Sequence, residues 1–281
     1  MKKFIFLIFI LGCATDETEK SKELTKAEIY YDQGTKYLVE KNYTEALEML
    51  LKAAEIAPGD SKVHNNLGMS YYFKQQFDLS EKHLMNALKL DPKNSDARNN
   101  LASLYYERGQ LDKATEQYQV ILTDLVYQHQ YRIHYNLALI NLKKNRSYEA
   151  QSELELSIKE KTDYCPAHAL MGKIEKAAKN YEKALKHFKS GTLGACFNFP
   201  EMHYLKAIGL IDVGNYPEAK LTLKDLNLKF KNNPYTKLAQ DKLAEIEQNH
   251  GSGGESLDTL PSSQKKILNE VEEEEYESVK F

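Results

Sequence analysis

The side chains best suited to chemistry are three cysteines, Cys13, Cys165 and Cys196, and eight histidines spread through 281 residues. A thiolate or an imidazole becomes a nucleophile, general base or metal ligand only where further groups converge on it. The spacing here argues against convergence, because His64, His134, His168 and His203 recur singly at long intervals. No GxxxxGK[ST] phosphate loop, GxSxG elbow or HExxH zinc helix occurs. Gly251-Ser252-Gly253-Gly254 follows no strand and opens no helix, so it reads as a linker. Paired carboxylates are plentiful, as expected of solvated helix surfaces. The sequence therefore predicts no catalytic residues, no metal site and no cofactor.

The elements that carry these residues are helical. Only 13 glycines and 7 prolines interrupt the chain, too few for a turn-rich β fold. With 42% hydrophobic and 28% charged residues the composition is that of a soluble globular protein. A formal charge of −3 argues against a nucleic-acid partner, which would demand a basic stripe for phosphates. Length alone would suggest two domains of about 150 residues, but an internal pattern supersedes that estimate.

Pro58 and Pro92 are 34 residues apart, as are Gly34 and Gly68, Tyr37 and Tyr71, and Ala53 and Ala87. Units counted from Ala27, Ser61, Ser95, Tyr131, Cys165 and Pro200 align as six copies, with small insertions after the third and fifth. The eighth position reads Gly34, Gly68, Ala102, Ala138, Gly172, Ala207, and the twentieth Ala46, Ser80, Ala114, Ala150, Ala184, Ala219. Small residues at two facing positions let antiparallel helices approach closely. Tyr43, Phe77, Leu111, Tyr181 and Tyr216 open the second helix in five of the six pairs. This pattern resembles the tetratricopeptide repeat, most closely in the first two copies. Copies four to six carry Asn141, Glu175 and Leu210 where the usual tyrosine stands, and lack the closing proline. The resemblance implies an all-α fold, a right-handed superhelical solenoid of about six helix-turn-helix repeats over residues 27–233. Residues 234–249 then read as a capping helix, and residues 250–281, with Glu272 to Glu275, as an acidic tail that does not fold alone. Within that tail, Ser262 to Val271 could instead form a short amphipathic helix on a partner.

In such a solenoid the first helix of each repeat lines a concave face. The histidines named above all occupy the fourth position, which packs between neighbouring helices. Periodicity sets Tyr31, Asn65, Asn66, Tyr72, Phe73, Asn99, Asn100, Tyr106, Tyr135 and Asn136 off the buried stripe, as candidate partner-binding residues. Asn66, Asn100 and Asn136 recur at the sixth position. A carboxamide both donates and accepts, so this row could pair with the backbone of an extended peptide; pairing between helices is the alternative. The lysine/arginine clamp of chaperone-binding repeats is not matched, since Tyr31, Thr35, Asp96 and Asn100 stand at its sites and only Asn66 agrees.

At the N-terminus Lys2-Lys3, an apolar run Phe4 to Leu11 and Gly12-Cys13 have the layout of a secretory signal. Eight apolar residues span roughly 12 Å as a helix, far short of the ~30 Å hydrocarbon core. Ile10-Leu11-Gly12-Cys13 resembles the bacterial lipobox, which implies removal of residues 1–12 and lipidation of Cys13. Residues 13–26 would then form a tether. An ordinary signal cut after Ala14 is the alternative. Ala14 in place of aspartate implies, by resemblance to known lipoprotein sorting, the periplasmic face of the outer membrane. With Cys13 lipidated, Cys165 and Cys196 remain as an even pair in an oxidising compartment. Both lie near the starts of neighbouring first helices, so a disulfide is expected; two buried thiols are the alternative. The 48 residues after the repeats are too few for an appended catalytic domain. An outer-membrane lipoprotein with six such repeats and a late cysteine pair resembles the type IV pilus pilotins of the PilF/PilW/Tgl type. That resemblance implies a non-enzymatic protein that helps secretin subunits reach the outer membrane and multimerise. A repeat scaffold of barrel assembly, or an accessory to a cell-wall enzyme, is the rival reading.

Overall fold

The computed structural model describes residues 13–249, with side chains from residue 21 onward. The helices are α1 (Cys13–Val39), α2 (Tyr43–Ile56), α3 (Ser61–Phe73), α4 (Phe77–Leu90), α5 (Ser95–Glu107), α6 (Leu111–Leu122) and α7 (Gln130–Lys143). They continue as α8 (Ser147–Glu160), α9 (Cys165–Ala177), α10 (Tyr181–Ser190), α11 (Pro200–Asp212), α12 (Tyr216–Lys229) and α13 (Pro234–Asn249). A 3-10 turn, Gly194–Asn198, lies between α10 and α11. No strand occurs among the described residues. The predicted signal segment at residues 1–12 and the predicted acidic tail at 250–281 lie outside them.

Helices pair in chain order, α1 with α2 through α11 with α12, and α13 packs on α12 and α11. The fold is therefore all-α, built of helical hairpins and closed by a last helix, as the 34-residue spacing predicts. All twelve small residues at the eighth and twentieth positions are buried, which fixes the register of the later copies. Position twenty-four supplies the large side chain that fills each crossing. Leu50, Leu84, Tyr118, Leu154, Phe188 and Leu223 are each 0 or 1% exposed.

The turn inside each hairpin is also repeated. Position fifteen takes a positive φ in every copy, at Lys41, Gln75, Gly109, Asn145, Lys179 and Gly214. The next N–H then donates back to the carbonyl of position eleven, from Asn42 to Tyr37, Gln76 to Tyr71, Gln110 to Tyr105, Arg146 to Asn141, Asn180 to Glu175 and Asn215 to Leu210. This closure satisfies an orphan helix carbonyl. It uses backbone alone, so copies four to six keep the hairpin without the usual tyrosine.

Contacts divide the chain into two compact units, one through Leu125 and one from Val126. The six predicted hairpins thus cluster as two sets of three, separated where the repeat spacing is stretched and Leu125 and Val126 are 90% and 85% exposed. In the first unit α3 packs on α2 and α5 on α4, and the first helices α1, α3 and α5 touch in succession. In the second unit α9 packs on α8, α11 on α10, and α9 touches α11. α1 begins well before Ala27, where the first hairpin is predicted to start. Residues 14–26 hold neither glycine nor proline and are rich in good helix formers, so the predicted tether continues the helix. Residues 21–26 are exposed throughout.

Candidate protein-binding face

The fourth-position histidines are structural fittings of the hairpins. His64 Nε2 bonds the Pro58 carbonyl at 3.1 Å, His168 Nε2 that of Thr162 at 3.0 Å, and His203 Nε2 that of Phe197 at 2.8 Å. Each ties a first helix to the turn that precedes it. The other ring nitrogen of His64 meets His83 Nδ1 at 3.1 Å, and that of His168 meets His187 Nδ1 at 3.4 Å. His134 Nδ1 meets Glu153 at 2.7 Å from the same relative position. In the third copy Arg98 takes the histidine's place, donating to the Pro92 carbonyl at 2.8 Å and to Gln117 Oε1 at 2.9 Å. All four pairs join positions four and twenty-three, a 19-residue spacing that single-residue scanning misses.

A carbonyl can only accept, so His64 Nε2 donates to it, and a single proton is shared between the two Nδ1 atoms. Burial pushes His83 down to about 4, with His64 and Lys82 adding to the push. Burial likewise lowers His187 and His203. No group of three or more His, Cys, Asp or Glu suited to a metal ion occurs among the described residues.

The candidate face itself is an amide relay in the first unit. Asn100 Nδ2 donates to Asn65 Oδ1 at 2.8 Å, Asn65 Nδ2 to Asn66 Oδ1 at 3.1 Å, and Asn66 Nδ2 to Thr35 Oγ1 at 2.8 Å. The relay crosses α5, α3 and α1. Each amide spends one donor on it, which leaves a second N–H per residue. Asn99, beside Asn100, is 8% exposed and its Oδ1 has no hydrogen-bond donor among the described residues. An acceptor buried in that state destabilises by about 1–3 kcal/mol until a donor reaches it.

The structure buries more of the predicted face than periodicity allows. Tyr72, Asn99, Asn100, Tyr106, Tyr135 and Asn136 are each at most 8% exposed, while Tyr31, Asn65, Asn66 and Phe73 are half-buried. The physical reason is stacking. In an array a first helix meets its own partner helix and neighbouring hairpins as well, so its covered arc exceeds the stripe of an isolated amphipathic helix. The aromatics are partly used internally. Phe73 stacks on Tyr43 at 4.5 Å and Tyr72 meets Phe73 edge-on at 5.4 Å. Tyr135 and Asn136 belong to the second unit, where Tyr135 meets Tyr164 edge-on at 5.7 Å.

Cys165, at the start of α9, and Cys196, in the 3-10 turn, form a disulfide with Cα atoms 5.4 Å apart. Both are buried. The insertion after the fifth copy is thereby held against α9. It leaves Leu193, Phe197 and Phe199 exposed by 65%, 48% and 48%.

Comparison with known proteins agrees with this architecture. Family models described as tetratricopeptide repeat match residues 61–94 and 83–116. Residues 61–116 therefore carry recognisable tetratricopeptide repeats. No curated protein sequence matches the chain. Among solved structures, PilF of Pseudomonas aeruginosa superposes with a TM-score of 0.62 at 20% identity, covering 81% of this chain and 99% of its own. PilW, described as a widely conserved type IV pilus biogenesis factor, gives 0.62 at 16% identity over 76% of this chain and 98% of its own. A chain of the APC/C hetero-tetramer Cut9–Hcn1 gives 0.61 at 17% identity, over 83% of this chain but 44% of its own. At these identities the likeness is one of fold.

Proposed function

We propose that this protein is a non-catalytic, lipid-anchored receptor of the outer membrane that binds a type IV pilus secretin subunit and helps it multimerise there. The observation that carries the reading is extent. The hairpin array corresponds to nearly the whole of PilF and PilW, 99% and 98% of their lengths, whereas the chain of the Cut9–Hcn1 complex extends far beyond it. The lipobox-like Ile10-Leu11-Gly12-Cys13 supports the membrane location, although residues 1–12 lie outside the described structure.

In this reading each part has a physical task. The lipid on Cys13 holds the protein at the membrane, and α1, which starts there, separates anchor from binding face by roughly 20 Å of helix. The relay of Asn65, Asn66 and Asn100 offers its unused N–H groups to the carbonyls of an extended segment. Asn99 Oδ1 accepts a backbone N–H from the same segment, which relieves its buried, donor-less state. Backbone pairing of this kind is tolerant of the partner's sequence.

The test is a membrane fractionation followed by a gel that preserves heat-resistant complexes. Deleting the gene should leave secretin subunits monomeric, and Cys13→Ala should do so more weakly. Normal multimers in the deletion strain would end the secretin reading. If barrel components or a cell-wall enzyme were mislocalised instead, the rival scaffold reading would replace it.

A further inference from the structure

Charge is divided unevenly along the chain. Residues 13–125 hold 14 Lys/Arg and 19 Asp/Glu, whereas residues 126–249 hold 19 Lys/Arg and 14 Asp/Glu. Residues 250–281 return to acid, with eight Asp/Glu against three lysines, and six of the eight fall between Glu270 and Glu277. Residues 126–249 are thus basic and residues 250–281 strongly acidic.

Within that unit a cavity of about 510 Å³ is lined by α10, the segment after it, α11 and α12. Lys186, Lys189 and Lys206 line it, against two carboxylates, Glu182 and Glu218, with Leu193 at its apolar edge. Glu218 faces two lysines at once, Lys206 at 3.6 Å and Lys189 at 3.8 Å, both too long for a hydrogen bond. Its Oε2 already accepts Asn215 Nδ2 at 2.9 Å. Lys186 makes no ion pair among the described residues. Three ammonium groups thus stand against two carboxylates, an excess of positive charge that leaves room for a further carboxylate.

We propose that this cavity is the docking site of the chain's own Glu270–Glu277 segment. Three features favour that occupant over an acidic stretch from elsewhere. The segment is the longest run of like charge in the sequence, and Tyr276 within it supplies a ring for the apolar edge at Leu193. The tail leaves from the end of α13, in the same unit as the cavity. Twenty residues, 250–269, intervene. Extended, they would reach some 65 Å, so distance sets no obstacle. A single surface ammonium–carboxylate pair contributes at most about 1 kcal/mol. Several pairs on a short tether act at an effective concentration near millimolar, however, and hold a weak ligand in place. The consequence is self-masking: the basic cavity is closed to other acidic segments until one of them displaces the tail. This does not depend on the partner's being a secretin.

The test uses full-length protein and a fluorescent peptide copying residues 268–281. The peptide should bind a full-length variant with Glu272, Glu273, Glu274 and Glu275 each changed to Gln roughly tenfold or more tighter than it binds the unmodified chain, whose own tail competes. Adding Lys186→Gln and Lys206→Gln to that variant should weaken the peptide about tenfold or more, whereas Lys143→Gln with Lys144→Gln, which removes equal charge outside the cavity, should not. Equal affinity for the variant and the unmodified chain would overturn the proposal, as would equal loss with both lysine pairs. Concentration-dependent dimers of the unmodified chain that dissolve on neutralising the tail would assign the occupant to a second copy instead.

Discussion

Gly172 is buried with the ring of Phe188 occupying the space where a Cβ would project, and a Cβ added at Gly34 or Gly68 would come within 2.6 Å of the Leu50 or Leu84 side chain. Gly172→Ala should therefore destabilise by about 1–3 kcal/mol through overpacking, less the ~1 kcal/mol gained in helix propensity. Gly59→Ala, with open space around it, should leave the urea midpoint nearly unchanged. Equal effects at the two sites would refute this account of position eight. The histidine pairs make a pH prediction. His83 titrates near 4 in the folded state and near its ordinary 6.5 when unfolded. Between those values the unfolded chain binds more protons, so stability is full above about 6.5 and falls as pH drops toward 4. The melting temperature should decrease by roughly 3–6 °C from about pH 7 to about pH 5. His83→Gln, copying the Gln117 of the third copy, should flatten part of that slope. The small residues at positions eight and twenty are plain in the sequence. The four-to-twenty-three pairs are not, because His, Arg, Glu and Gln fill them interchangeably and only their contacts reveal the rule.

The hairpin turn is where sequence and backbone demand diverge. All six copies require a left-handed residue at position fifteen, yet only Gly109 and Gly214 meet it with glycine. A Cβ in that conformation costs roughly 1–2 kcal/mol, partly offset by glycine's greater freedom when unfolded. Gln75→Gly and Lys179→Gly should thus each stabilise by about 0.5–1 kcal/mol, and Gly109→Ala should destabilise by a similar amount, read from denaturant midpoints. If both lysine and glutamine variants were destabilised, the turn would be held by side-chain contacts instead. Helix starts were legible to the residue at Tyr43, Phe77, Leu111, Tyr181 and Tyr216, since an aromatic or leucine after a polar turn marks each. The start of α1 was not, because residues 14–26 have helix-forming composition but no apolar stripe to announce it.

The molecule as a whole is two units with different reinforcements. The Cys165–Cys196 bridge lies in the second unit and spans 31 residues in sequence. Closing a loop of that size should contribute about 3–4 kcal/mol on the chain-entropy account. Cys196→Ser, or reduction, should therefore speed amide exchange in α9 to α12 while leaving α3 to α6 unchanged. A uniform increase across both units would mean that they unfold together. The charge division follows the same boundary, residues 13–125 being acidic and residues 126–249 basic.

By itself the sequence determined the helical hairpin, its period and the small residues at its crossing, because each depends on local periodicity or on composition. Only the tertiary structure decided how deeply the candidate face is buried and which amides are spent between helices. It alone exposed the Asn99 acceptor without a donor and the lysines gathered around one cavity. Those properties depend on atoms brought together from separate hairpins, and no spacing along a single helix encodes the arc that its neighbours will cover.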